Sequence, residues 1–87
     1  MAYTLLFTPE FLRDAKKLPQ DLLRRLKQKL ALFEQEPFHP SLRSHKLGGG
    51  LDGFCAFSVN YRVRALFKLL PNHEILMVRI GGHSVYD

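Results

Sequence analysis

Apolar positions in the first 35 residues predict one short strand followed by two helices. Residues 3–8 are apolar and aromatic, and they end at Thr8-Pro9, a pair that suits the N-cap and the first position of a helix. Apolar residues then recur at helical spacing until Pro19 ends the run. A second helix is predicted from about residue 20 to about residue 35, and its apolar stripe contains Leu22, Leu23, Leu26, Leu30 and Phe33.

The rest of the chain is predicted to be a loop followed by three strands. Prolines at residues 37 and 40 break the second helix, and the loop runs on to Gly53. Strands are predicted at residues 54–59, 61–69 and 74–80, the last two joined by a turn at residues 70–73. Short connections favour antiparallel neighbours. The order β-α-α-β-β-β therefore predicts an α+β fold, with a helical hairpin packed on one face of a mostly antiparallel sheet.

Length and composition fit one domain that spans residues 1–87. Hydrophobic residues make up 46% of the chain and aromatic residues 11%, which is enough for one core and too apolar for a disordered chain. The single cysteine, Cys55, excludes an intramolecular disulfide and fits a reducing compartment. No apolar run approaches the roughly 18 residues of a membrane span, and residues 1–5 show no secretory pattern. We expect a cytoplasmic protein without a membrane partner.

The charge balance gives the first indication of function. Thirteen Lys and Arg residues against eight Asp and Glu give a net charge of +5 and a pI near 9.7. A basic domain of this size favours polyanions, of which nucleic acid is the leading candidate. An acidic protein partner, or a basic surface that is merely well solvated, remains open on charge alone.

The strand predicted at residues 61–69 separates cations from apolar side chains. Because side chains along a strand alternate between the two faces, Arg62, Arg64 and Lys68 share one face. The other face carries Val63, Ala65, Phe67 and Leu69. We expect the apolar set to face the helices, which leaves the cations on the opposite face as a cradle for phosphate.

Three segments of the chain carry motifs in a fixed order. They are the loop at residues 42–49 (LRSHKLGG), the strand at residues 63–67 (VRALF) and the end of the chain at residues 79–86 (RIGGHSVY). They resemble the "H-x-L-x-G" loop, the "Y-R-L-V-Y" strand and the "V-G-x-H-x-x-V-Y" tail of the RelE/ParE superfamily of bacterial toxins. With the order of elements, the resemblance covers essentially the whole chain.

The resemblance implies a RelE-like, microbial-RNase-like fold and the toxin role of a type II toxin–antitoxin system. RelE, YoeB and YafQ-like members cut mRNA, usually in the ribosomal A site, whereas ParE-like members lack the nuclease residues and inhibit DNA gyrase. We expect a ribosome-dependent, metal-independent endoribonuclease that acts by attack of the 2′-hydroxyl. Two alternatives stay open: a ParE-like gyrase inhibitor, and an inactive homologue that acts only with its antitoxin on operator DNA.

The resemblance also implies roles for individual residues. Arg64 matches the arginine that contacts the scissile phosphate, a task that suits its forked donors. His83 matches the C-terminal histidine of nuclease members, and Tyr86 the near-terminal tyrosine that stacks on a base or orients the reacting groups. His45 matches the loop histidine of YafQ-like toxins. These four are the expected catalytic residues, and the expected RNA-binding cations are Lys46, Arg62, Lys68 and Arg79.

Four positions depart from the family pattern. These positions follow from an alignment to the family that is anchored at Arg64 and has no gaps. The two strand lysines of RelE fall at Cys55 and Phe57. The second histidine of YafQ-like toxins falls at Ser58, and their aspartate falls at Arg62. His45 and His83 are the pair that remains for acid–base chemistry, which keeps the ParE-like alternative open. We expect Cys55 to be packed and not nucleophilic, because the sequence offers it no obvious base partner.

The expected partners are a cognate acidic antitoxin, mRNA on the ribosome, and operator DNA only through the antitoxin. A free toxin would harm its host, so we expect a neighbour that holds it. An acidic helix or an extended segment would suit the cations of the second helix and of the sheet, namely Arg24, Arg25, Lys27, Lys29, Arg62 and Arg64. No cofactor and no metal are expected, since the histidines lack metal-ligand spacing.

Overall fold

The computed structural model describes residues 2–82 and residue 85. Within them the helices are α1 (Pro9–Lys16) and α2 (Gln20–Gln35). The strands are β1 (Thr4–Phe7), β2 (His45–Lys46), β3 (Cys55–Ser58), β4 (Arg64–Leu70) and β5 (Glu74–Gly81). Two single turns of 3-10 helix, Pro40–Leu42 and Gly49–Leu51, lie between α2 and β3. None of the helices in this part of the chain is long and apolar enough to cross a lipid bilayer.

The strands form one sheet in the order β1-β5-β4-β3-β2. The pairs β2–β3, β3–β4 and β4–β5 are antiparallel, as their short connections favour. β1 runs parallel to β5. The two helices carry the chain from β1 at one edge of the sheet to β2 at the other edge, and the strands β2 to β5 then return toward β1. The predicted α+β architecture, with both helices packed against a mostly antiparallel sheet, is confirmed.

The long loop predicted up to Gly53 contains a strand. The prediction is wrong at His45–Lys46, which forms β2 by pairing with Ala56 and Cys55 of β3. A strand of two residues has no alternation that a sequence pattern can reveal, and it forms because tertiary packing brings it beside β3. Its shortness leaves the edge of β3 uncovered at Ser58.

The strand predicted at residues 61–69 begins later, at Arg64. The side chain of Asn60 accepts hydrogen bonds from the backbone N–H groups of Arg62 (2.9 Å) and Val63 (2.7 Å). This local bonding holds residues 60–63 in a turn, as asparagine side chains commonly do. The expectation that Arg62 shares a strand face with Arg64 and Lys68 is therefore wrong, because Arg62 lies in the turn.

Three phenylalanine rings form the centre of the core between α2 and the sheet. Phe33 of α2, Phe57 of β3 and Phe67 of β4 are each fully buried. The ring of Phe33 lies 4.7 Å from that of Phe57 and 4.8 Å from that of Phe67, in tilted and edge-on contacts. Such pairs add about 0.5–1.5 kcal/mol each beyond the burial of their area. The predicted apolar stripe of α2 thus faces the sheet.

Two anchors fix α1 against β5. At its start, Thr8 Oγ1 accepts a hydrogen bond from Phe11 N (3.0 Å) and donates one to Val78 O (2.8 Å). Near its end, Asp14 accepts hydrogen bonds from Arg79 Nε (2.6 Å), Arg79 Nη2 (3.2 Å) and Ile80 N (3.1 Å). Both anchors contact residues 78–80, beyond the part of β5 that pairs with β1. They hold this end of β5 in place.

Candidate nucleic-acid interface

The sheet has one face under the helices and a second face, called here the open face. On β3, Cys55 and Phe57 belong to the core beneath the helices. Because side chains alternate along a strand, Ala56 and Ser58 point to the open face. Arg64 lies opposite Ser58 and therefore also points there. The structure therefore places Arg64 on the open face, and its role there stays a prediction.

His45 joins Arg64 on the open face. It lies opposite Ala56, two residues along β3 from Ser58, the partner of Arg64. Strands lie about 4.8 Å apart and rise about 3.4 Å per residue, so two steps in each direction separate the Cα atoms of His45 and Arg64 by about 12 Å. Both side chains are long enough to reach a nucleotide that lies between them.

Two buried apolar side chains, Ala56 and Leu66, lie between these two polar groups. Ala56 is 0% exposed and Leu66 4% exposed, although both lie outside the core beneath the helices. Val85 is also buried, and its Cγ1 lies 3.0 Å from the position that a Cβ at Gly81 would occupy. Gly81 lies opposite Arg64 on β5. The side chain of Val85 therefore packs against this end of the sheet.

Arg64 keeps part of its guanidinium available for a ligand. Its Nη1 donates to the backbone carbonyl oxygens of Asn60 (2.6 Å) and Val63 (3.4 Å). These bonds tie the side chain to the turn before its own strand and reduce its freedom. The donors on Nη2 and Nε form the fork that binds phosphate oxygens in a bidentate manner.

A hydrogen bond to the backbone fixes the tautomer of His45. Its Nδ1 lies 3.0 Å from the carbonyl oxygen of Arg43, and a carbonyl only accepts hydrogen bonds. Nδ1 therefore carries the proton, and in the neutral ring Nε2 has the free lone pair. The side chain is exposed, so this nitrogen is accessible from the open face.

The expected RNA-binding cations do not form one group. Lys46 lies opposite Cys55, a core residue, and so leaves the sheet on the side away from His45. Lys68 sits over the Phe54 ring, 5.5 Å from its centroid. Arg62 sits over the Tyr61 ring at 5.4 Å. Arg79 is bound in bidentate fashion by Asp14.

Two predicted catalytic residues, His83 and Tyr86, lie outside the described residues, and their roles stay predictions. The described neighbours Gly82 and Val85 are joined by a hydrogen bond from Val85 N to Gly82 O (3.1 Å).

Cys55 is buried, as predicted. Burial raises the pKa of its thiol, and the charge of Lys46 offsets this only in part. A thiol of this kind is a poor nucleophile at neutral pH. Phe57 is fully buried as well, so neither position that the gap-free alignment assigns to a RelE lysine is on the open face. The open-face residues of β3, Ala56 and Ser58, supply no lysine either.

A cleft that the sequence did not predict opens beside Arg64. This cationic cleft has a volume of about 360 Å³ and is lined by Arg25, Lys29, Ser41, Arg43, Ser58, Val59, Asn60, Tyr61 and Arg64. Its residues come from α2, from the loop around Pro40–Leu42 and from the β3–β4 connection, across the uncovered edge of β3. Arg25 and Lys29 are four residues apart on a helix, so their side chains are expected on the same side of α2. This spacing is the sequence feature that brings two of the cleft residues together.

Comparison with known proteins shows the fold. No protein-family model and no curated protein sequence matches this chain. Among solved structures, YafQ from E. coli strain BL21(DE3) superposes with a TM-score of 0.79 at 17% identity, over 97% of both chains. The RelBE2 toxin–antitoxin complex of Mycobacterium tuberculosis gives 0.79 at 22% identity, over 95% of this chain and 100% of that one. The E. coli DinJ–YafQ toxin–antitoxin complex gives 0.78 at 18% identity, over 98% and 97%. The chain therefore has the fold of the RelE-like toxins.

Proposed function

We propose that this chain is the toxin of a toxin–antitoxin pair and cleaves mRNA on the ribosome. The observation that carries the proposal is the position of Arg64 and His45 on the same open face. There Arg64 offers the donors on Nη2 and Nε, and His45 offers the lone pair of Nε2. The shared fold with solved toxins supports the toxin role. The net charge of +5 supports binding of a polyanion.

The reaction needs a base, a group that stabilises charge on the phosphate, and an acid. His45 Nε2 takes the proton from the 2′-hydroxyl, whose oxygen then attacks the adjacent phosphorus. Arg64 donates hydrogen bonds to the phosphate oxygens as negative charge develops on them. The bond to the 5′-oxygen breaks, and a proton from His83 completes the leaving hydroxyl. The products are a 2′,3′-cyclic phosphate and a free 5′-hydroxyl, with Tyr86 orienting the substrate.

The second part of the proposal is a cognate acidic antitoxin. Two of the solved neighbours are toxin–antitoxin complexes, and exposed cations on α2 would attract an acidic segment. In this proposal the antitoxin also carries the pair to operator DNA. Co-expression with the adjacent open reading frame would then raise the soluble yield, because binding stabilises the folded toxin by mass action.

A second candidate is a toxin of ParE type that inhibits DNA gyrase without cutting RNA. The absence of a lysine from the open face of β3 favours it, since the RelE lysines have no counterpart there. His45 and Arg64 favour the nuclease, because inhibition of gyrase does not require a general base and a phosphate-binding arginine on the same face of the sheet. The two candidates predict different products.

The test is cleavage of a 5′-labelled mRNA on purified ribosomes, with the 3′ ends of the products analysed for cyclic phosphate. We expect cleavage by the wild type, and a loss of about 10²-fold or more for Arg64→Ala, the usual effect of removing one electrostatic donor. His45→Gln, which removes the base, should lose a similar factor. Arg24→Ala, an exposed change of the same type elsewhere on the surface, should cleave normally. Full activity of a folded Arg64→Ala protein would remove this residue from the site.

A further inference from the structure

The cationic cleft is only partly used by the proposed reaction. Arg64 belongs to the reacting centre, whereas Arg25, Lys29 and Arg43 lie on the far side of the uncovered β3 edge. All four cations line one cavity of about 360 Å³, and the remaining polar lining consists of hydroxyl and amide groups. Among the described residues that line it, none carries a carboxylate. The cavity is therefore suited to an anion.

The four cations of the cleft have no acidic partner within residues 2–82. The ion pairs in this part of the chain join Arg13 to Glu10, His39 to Glu36 and Arg79 to Asp14, none of which lines the cleft. Like charges that line one cavity repel one another, and a bound anion relieves the repulsion. Lys29 Nζ lies 3.4 Å from the carbonyl oxygen of Ser41, which holds its charge toward the loop side of the cleft.

An exposed aromatic ring stands at the rim of the same cleft. Tyr61 is 78% exposed, the highest value among the large hydrophobic side chains of residues 2–82. The turn that Asn60 fixes presents it, and the guanidinium of Arg62 sits over the ring at 5.4 Å. Proteins that bind single-stranded nucleic acid commonly stack unpaired bases on a solvent-exposed aromatic ring that lies beside cationic side chains.

We propose that the cationic cleft is a second RNA subsite, which binds a phosphate of single-stranded RNA away from the cut while Tyr61 stacks on a neighbouring base. The inference rests on the proposed function and adds to it a path for the RNA strand. The strand runs from the open face at Arg64, across the uncovered edge of β3, to Arg25 and Lys29 on α2. Anchoring the strand here would position the 2′-hydroxyl at His45.

Binding of a fully 2′-O-methylated RNA of six nucleotides, measured by fluorescence anisotropy, tests the subsite without cleavage. The variant is Arg25→Ala/Lys29→Ala, and its matched control is Arg24→Ala/Lys27→Ala. The control removes the same charge from the same helix outside the cleft. We expect the cleft variant to bind about tenfold more weakly than the control. The slope of log K against log salt should be lower by about 0.7, the value for one lost phosphate contact on a single strand. Tyr61→Ala should weaken binding by about tenfold with the slope unchanged.

Cleavage assays separate failure of the subsite from failure of the proposed function. If the cleft variant needs more RNA for half-saturation but cleaves at the wild-type rate when saturated, the subsite is supported. If the protein binds RNA through the cleft and never cleaves it, the result supports the RNA subsite and contradicts the proposed nuclease activity. Equal RNA binding by the cleft variant and its control overturns the subsite. If in addition only the cleft variant loses binding to poly-L-glutamate, the cleft belongs to an acidic protein partner.

Discussion

Removing the carboxylate of Asp14 should destabilise the fold far more than its place on a helix surface suggests. The side chain is 12% exposed and accepts three hydrogen bonds, two from Arg79 and one from Ile80 N. Arg79 is 39% exposed, so solvent screening limits the ion pair to about 1 kcal/mol. The backbone N–H of Ile80 would lose its acceptor, at a cost of about 1–2 kcal/mol. Asp14→Ala should therefore lower the free energy of unfolding by about 2–3 kcal/mol.

Urea denaturation followed by circular dichroism measures this loss. For a domain of this length it corresponds to a fall in Tm of about 10–20 °C, because each kcal/mol shifts Tm by roughly 4–8 °C. The matched control is Glu10→Ala, on the same helix. Glu10 forms an exposed pair with Arg13 at 3.9 Å, and its removal should cost less than about 0.5 kcal/mol. An Asp14→Ala protein as stable as the Glu10→Ala protein would refute the anchoring role.

The effect of Asp14 should also depend on pH in a defined direction. Partial burial alone would raise its pKa, but the hydrogen bonds from Arg79 and Ile80 N and the charges of Arg79 and Lys17 together hold the pKa below its usual value of 3.8. The ionised group then stabilises the folded state fully above the pKa of the unfolded chain, and this contribution is lost as the pH falls through the lower pKa of the folded state. The difference between wild type and Asp14→Ala should shrink from pH 7 to pH 2.5. A constant difference would contradict the ionic contribution.

Two further predictions concern single side chains. Thr8→Ala removes both the helix cap and the hydrogen bond to Val78 O, so it should lower the free energy of unfolding by about 1–2 kcal/mol. Thr8→Ser keeps both bonds and should cost much less. Equal losses for the two variants in urea denaturation would argue against the cap. Cys55 should react with a thiol reagent at pH 8 at least about tenfold more slowly in the native protein than in urea, because burial raises its pKa and blocks access; equal rates would show that the thiol is accessible.

Elements set by local pattern could be predicted from the sequence. The spacing of apolar residues gave the bounds of α2, and the Thr8-Pro9 pair gave the start of α1, which ends at Lys16, before Pro19. The alternation around Ala65 and Phe67 gave the core face of β4. Each of these signals lies within a few residues of the element that it defines. Because these signals are local, contacts between distant segments do not change the elements that they predict.

Features set by contacts between distant segments could not be predicted. The strand at His45–Lys46 exists through its pairing with β3, and the partner of Arg79 lies 65 residues away at Asp14. The sequence pattern therefore predicted RNA binding for Arg79 and gave no indication of its ion pair with Asp14. The cationic cleft combines three segments that no motif links. The turn at Asn60 depends on a side-chain bond, which overrides the alternation expected for Arg62.

The most direct test of the central proposal is expression of the chain alone in a bacterial host, with primer extension on a translated mRNA. We predict growth arrest and new 5′ ends inside translated frames, both absent with Arg64→Ala and unchanged with Arg24→Ala. Co-expression of a cognate antitoxin should prevent them. Growth arrest with intact mRNA and with gyrase-linked DNA breaks would contradict the nuclease and establish the ParE-like alternative.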